Sequence, residues 1–236
     1  MLEKTKMVLE LISKDELFQN NDIRFVGGTA LSYRIDHRLS EDLDFATSLI
    51  DKDAINKMVR KYSGRSIEHH VSMIDSALND GEDISNSYLI FIINDVKVEF
   101  FTPPFNIGEE KEIWDKDQFT YYENTHLKVA SLETLIYMKS MAFWNRKKYR
   151  DLFDIWYLLN NKMQTVKEFL EKYISFHFTY DKEQLLEKIK NTKTFYFKST
   201  DEGISTLVKN HKPYEWYRNE IESMIQDAII EELYKS

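Results

Sequence analysis

The chain has no cysteine, only three prolines and six glycines among 236 residues, and less positive charge than negative. Without thiols there are no disulfides, zinc–thiolate centres or thiol nucleophiles, so any metal must be held by oxygen or histidine. The scarcity of proline and glycine leaves no flexible linker, and no internal repeat or low-complexity tract is present. No apolar run approaches the ~18 residues of a membrane-spanning helix. The opening "MLEKTKMVLELI" carries charges where an export signal needs an apolar core, so the expectation is a cytoplasmic protein with no membrane association. A net charge of −8 argues against broad electrostatic adhesion to nucleic acid while leaving room for a local basic patch. The deficit is uneven: residues 1–120 hold 14 Lys and Arg against 23 Asp and Glu, and residues 121–236 hold 18 against 17.

What is present is the composition of a folded protein, 42% hydrophobic and 31% charged, long enough for one large domain or two small ones. The clearest break is "FFTPPFNIGEEKEIWDKD", where Pro103-Pro104 end a strand and Gly108 begins a polar loop. Before it, strand patterns at Ile23–Val26, Glu41–Phe45, Tyr88–Ile93 and Val96–Phe101 alternate with helical patterns near 3–19, 28–35 and 51–62. After it, helices are expected at 131–145, with Ser131 as N-cap, and at 148–160, 165–174, 182–191 and 213–234. The fold class is therefore α+β, with an α+β domain over 1–120 and a mainly helical domain over 121–236. Asn94-Asp95, between two β-rich runs, is a hairpin signal. In the second run Val96, Val98 and Phe100 share one face, and Lys97 and Glu99 the other.

Chemistry concentrates in "GGTALSYRIDHRLSEDLDF", Gly27 to Phe45. A strand period of two sets Asp42 and Asp44 on one face and Leu43 and Phe45 on the other. Adjacent carboxylates repel unless a cation neutralises them, and a hard divalent ion such as Mg²⁺ is the natural one. Glu99, on the polar face of another strand, offers a third carboxylate, and three would serve two ions. The plainer alternative is a solvated edge strand. Upstream, Gly27-Gly28 end a strand and Thr29 opens a helix, so backbone N–H groups and the helix dipole would face an anion such as phosphate. The plainer alternative there is an ordinary glycine turn.

The same stretch closely resembles the signature of the AbiEii/AbiGii toxin family of nucleotidyltransferases, within the DNA polymerase β-like superfamily. "KSMAFWNRKKYRDLFDIWYL", Lys139 to Leu158, resembles the family's later motif. The resemblance covers residues 23–160 in patches. It implies a nucleotidyltransferase-type mixed sheet with flanking helices, followed by a mainly helical C-terminal part that completes the active-site cleft. It further implies NMP transfer from an NTP with release of pyrophosphate. Gly27, Gly28 and Thr29 would bind the nucleotide, with Asp42 and Asp44 as catalytic metal ligands, Lys139 on the phosphates and Asp154 as a further essential acidic residue. Glu99 would match the superfamily's third metal carboxylate. The cofactor would be one or two Mg²⁺ ions, with Mn²⁺ as a substitute. Partners would be an NTP, an RNA acceptor such as a tRNA end, and a cognate antitoxin protein, in a toxin–antitoxin or phage-defence setting.

The residues keep alternatives open. Arg38 is better placed than Arg34 to reach triphosphate oxygens, and Ser40 either touches a phosphate or caps a strand end. Lys139 could simply face solvent from an apolar helix. Asp151 and Asp154 could join a surface ladder with Lys147 and Arg150 at i,i+4. His69 and His70 read as surface residues. The tail aromatics in "TFYFKST" and "KPYEWYRN" could stack on bases beside Lys193, Lys198, Lys212 and Arg218, with helical core packing as the default. A small polycationic acceptor such as an aminoglycoside, suited to an acidic head, and an inert nucleotide-binding regulator remain as other functions.

Overall fold

The structure, a computed structural model, describes residues 1–103, 109–145, 148–176 and 203–235. The expected helix at 182–191, Lys147, Lys193 and Lys198 lie outside the described residues. The chain divides into two compact units, Met1–Leu135 and Ile136–Ser236.

The first unit holds a seven-stranded mixed sheet. In chain order come α1 (Glu3–Ile12), α2 (Glu16–Asn20), β1 (Ile23–Val26), α3 (Gly27–Ile35), β2 (Leu43–Thr47), α4 (Lys52–Lys61), β3 (Arg65–Ser66), α5 (Val71–Asn79), β4 (Tyr88–Ile93), β5 (Val96–Phe101), α6 (Glu109–Asp115), β6 (Thr120–Tyr121) and β7 (Lys128–Val129). The strand order is β3-β4-β5-β2-β1-β7-β6. β2 runs antiparallel to β1 and parallel to β5, and β7 runs parallel to β1. Because β6 and β7 join this sheet, the division comes after the sequence break at residue 120.

Local chemistry explains most boundaries. The expected helix 3–19 is two helices, because Asp15 caps α2 by accepting from the Leu17 N–H at 3.0 Å. Asn94 and Asp95 take φ of +47° and +59°, the left-handed pair that a tight primed turn needs between β4 and β5. In β5 Val96, Val98 and Phe100 are buried while Lys97 and Glu99 are half-buried, so the strand alternates as its sequence does. Phe18, Phe25, Phe45, Phe91 and Phe100 fill the core, and the Phe45 and Phe100 rings stack at 5.1 Å. α5 departs from this economy. Val71, Met73, Ile74 and Leu78 are all exposed, and the helix buries no residue.

α7 (Leu132–Asn145) contains the division between the units. In the first unit Ser131 Oγ accepts from the Thr134 N–H, the expected cap, and the buried Asp117 accepts from the Ser131 N–H and the Thr134 hydroxyl while pairing with Arg24. The helical unit continues with α8 (Tyr149–Asn160), α9 (Val166–Phe176), a short turn of helix Ile204–Leu207 and the long C-terminal helix Tyr214–Lys235. Trp156 of α8 meets Trp216 and Tyr217 of the C-terminal helix, with centroids 5.4 and 5.1 Å apart. The aromatics of "KPYEWYRN" are thus packed against other rings; those of "TFYFKST" lie outside the described residues.

Candidate active site

The sheet register assembles the site. Asp44 in β2 lies opposite Val26 of β1 and opposite Glu99 of β5. Val26 is the last residue before the glycine pair, so this pairing delivers Gly27 directly onto Asp44. A Cβ on Gly27 would come within 2.0 Å of Asp44 Oδ2, and Gly27 has φ of +74°, so both space and backbone require glycine. α3 begins at Gly27, two residues earlier than Thr29, and no side chain caps its start. The first N–H groups of such a helix lack intrahelical acceptors and carry the positive end of its dipole. A Cβ on Gly28 would lie 2.6 Å from Arg38 Nη2, which brings the guanidinium onto the same turn. Arg38 is buried, and its Nη1 donates to the Leu39 carbonyl at 2.9 Å.

Thr29 and Ser40 fix the loop between α3 and β2. The buried Thr29 hydroxyl is hydrogen-bonded to the Ser40 hydroxyl at 2.7 Å and to the carbonyl of Asp42. From α1's side, the Leu2 N–H donates to the Ser40 carbonyl and the Thr5 hydroxyl to the Glu41 carbonyl, each at 2.9 Å. Asp42 therefore sits in this clamped loop, one residue before β2, and not inside the strand as its spacing from Asp44 suggested. Arg34 is used elsewhere in the unit: its guanidinium donates to the carbonyls of Val129 and Ala130.

Three carboxylates thus share one polar face. Burial first, then the neighbouring Glu99 and Asp42, push the Asp44 carboxyl up to about 7. Burial would raise Glu99 too, but Lys97 and Tyr88 hold it below its usual range. Lys97 Nζ lies 2.8 Å from Glu99 Oε2 and 4.0 Å from Asp42 Oδ2. Burial alone would lower the Lys97 ammonium, but Glu99 and then Asp42 and Asp44 hold it above its usual value. The Tyr88 hydroxyl donates to Glu99 Oε1, and its ring packs against His69 at 5.2 Å. His69 is therefore half-buried, whereas His70 is exposed and accepts the Ser72 N–H at the start of α5. Sequence spacing put Lys97 and Glu99 on one face, but it did not show the ion pair. Tyr88 gave no local signal.

Among the described residues, no group of three or more His, Asp and Glu side chains is arranged to hold a metal ion. A magnesium ion does not need one, since it is commonly bound by one or two carboxylates with substrate phosphates and water completing its shell. The donor chemistry of Asp42 and Asp44 fits that arrangement. The raised carboxyl of Asp44 marks negative charge that a divalent cation would relieve.

The helical unit carries a second cluster. Lys139 Nζ of α7 lies 2.8 Å from both Asp151 Oδ1 and Asp154 Oδ2 of α8. All three are buried, with relative exposures of 5%, 1% and 0%. Lys139 therefore does not face solvent, and Asp151 and Asp154 are not members of a surface ladder. Their three-residue spacing places both on the helix face that meets the ammonium.

Comparison with known proteins places the chain in a family and a fold. A family model described as the nucleotidyl transferase AbiEii toxin of a type IV toxin–antitoxin system matches residues 11–227. An uncharacterized protein of Aquifex aeolicus (strain VF5) is 28% identical over 159 residues, covering 65% of this chain and 65% of that protein. The match thus spans less than two thirds of that relative's length. Two Helicobacter pylori crystal structures share the fold. JHP933 gives a TM-score of 0.55 at 17% identity, covering 98% of this chain and 93% of its own. A candidate nucleotidyltransferase gives 0.56 at 16%, covering 100% and 98%. At such identities the likeness is one of architecture.

Proposed function

The chain belongs to the AbiEii nucleotidyltransferase toxin family of type IV toxin–antitoxin systems, and from that premise we propose that it transfers a nucleoside monophosphate from an NTP to an RNA acceptor such as a tRNA end, releasing pyrophosphate. The observation that carries the reading is the approach of the Gly27 turn to Asp44, enforced by the pairing of Val26 with Asp44. It sets an uncapped helix N-terminus, a guanidinium and a carboxylate pair around one turn. That is the arrangement a triphosphate and its cation require.

Asp42 and Asp44 would hold a Mg²⁺ ion, or Mn²⁺ in its place, and Glu99 stands beside them as the third carboxylate. When bound, the ion supplies Lewis-acid stabilisation of charge on the transferred phosphoryl group. The α3 N-terminus and Arg38 would orient the triphosphate, while Thr29 and Ser40 keep the loop bearing Asp42 in place. Lys139 as a phosphate ligand and Asp154 as an essential acidic residue are carried into the proposal from the family resemblance. In a cell the activity would be restrained by a cognate antitoxin.

The test is label transfer from each α-labelled NTP in Mg²⁺ with total RNA, alongside Asp44→Asn. Transfer to RNA that the variant loses is the expected result; none with any NTP would sink the reading. The acidity of residues 1–120, 14 basic against 23 acidic residues, favours one second reading, a small polycationic acceptor. It predicts transfer to an aminoglycoside in place of RNA in the same assay.

A further inference from the structure

We infer that Lys97 is the resident counter-cation of the carboxylate face, so that this chain loads a single divalent ion at Asp42 and Asp44 where three carboxylates would otherwise hold two. The inference rests on the metal site proposed above and concerns how many ions that site takes.

The geometry follows from β5. Lys97 and Glu99 are two residues apart on one strand and so share a face. The parallel pairing of β2 with β5 sets Glu99 beside Asp44. Both oxygens of Glu99 are engaged by protein groups, Oε2 by the Lys97 ammonium at 2.8 Å and Oε1 by the Tyr88 hydroxyl. The same ammonium stands 4.0 Å from Asp42 Oδ2. A second ion shared by Glu99 and Asp42 would compete with the Lys97 ammonium, which already stands against both.

Charge agrees with position. Three ionised carboxylates, one ammonium and one divalent ion are neutral together, whereas a second divalent ion would leave the face doubly positive before any nucleotide arrived. Carboxylates in a half-buried setting are expected to favour the neutral combination. An ammonium offers a fixed charge with three donors and no open coordination site. It therefore neutralises the Glu99 side without acting as a Lewis acid there. Lys97 is accordingly a positioning residue: it keeps Glu99 occupied and leaves Asp42 and Asp44 to the ion.

The test is a count of bound Mn²⁺ by electron paramagnetic resonance, titrating Mn²⁺ alone into the full chain. One ion is expected in the wild type, and Asp44→Asn should remove it. Lys97→Met should bind two, and Lys97→Arg, which keeps the charge, should bind one. Two ions in the wild type, none in the wild type, or one in a folded Lys97→Met chain would each overturn the inference. If Lys97→Met fails to fold by circular dichroism, Lys97→Gln, which also removes the charge but keeps a polar head, takes its place, and one ion in that folded variant overturns the inference. Label transfer scored separately keeps the two readings apart. Two ions with transfer to RNA leaves the function standing and removes the role of Lys97; one ion without transfer does the reverse.

Discussion

Gly27 and Gly28 are neighbours with different duties, and substitution separates them. At Gly27 a methyl group would collide with Asp44 Oδ2 at 2.0 Å and strain a backbone at φ +74°. Gly27→Ala should destabilise the first unit by about 1–3 kcal/mol and abolish transfer, because Asp44 must move to make room. At Gly28 the obstacle, at 2.6 Å, is the far end of the Arg38 side chain. Gly28→Ala should therefore destabilise less than Gly27→Ala, since a side chain and not the backbone must give way, while displacing the guanidinium and raising the KM for NTP more than it lowers kcat. Thermal melts and steady-state kinetics on both variants check the contrast. If the two variants lose stability equally, the close approach to Asp44 is not what the turn is built for. The glycine turn and the strand position of Asp44 were legible because their signals are local, whereas the period of two misplaced Asp42, which sits in the loop before β2. The Lys97–Glu99 pair was half legible, since its face could be read but not its contacts. Tyr88 and Thr5 reach their partners only through strand register and loop packing, which no local pattern encodes.

Among the elements, β1, β4 and β5 are found where their alternation and apolar runs place them, because each is long enough to show a period. β3, β6 and β7 are two residues each, too short for any period, and exist only through the partners they pair with. The α7–α8 pair shows the same limit in helices. Both were legible as helices, but Lys139 meets Asp151 and Asp154 only after the two helices pack. Two acidic groups on one buried ammonium make the members unequal. Lys139→Met removes the cation that both carboxylates face and should cost about 3–5 kcal/mol, the range for breaking a buried ion pair. Asp154→Asn keeps the Lys139–Asp151 ion pair and an amide oxygen that still accepts, so it should cost clearly less. The family resemblance nevertheless assigns Asp154 an essential role. Asp154→Asn should then melt near the wild type yet lose transfer; a folded variant with full activity would confine the cluster to holding the helices together.

Across the whole molecule the charge is −8, and the deficit sits in residues 1–120. A long-range field of this sign repels a polyanion and attracts a polycation before any contact forms, and it is screened over about 10 Å at 0.1 M salt. Acceptor class therefore predicts the sign of the salt dependence. With Mg²⁺ and NTP held constant, kcat/KM for RNA should rise as monovalent salt increases from about 10 to 100 mM, because repulsion is screened. At higher salt it should fall as direct phosphate contacts lose their counterion-release advantage. A small polycation should instead show a fall from the lowest salt onward, since the attraction that brings it in is what salt removes. Measuring kcat/KM against ionic strength for each acceptor class uses the intact chain and needs no variant. A monotonic fall with RNA would mean that local basic contacts, and not the net charge, govern the encounter.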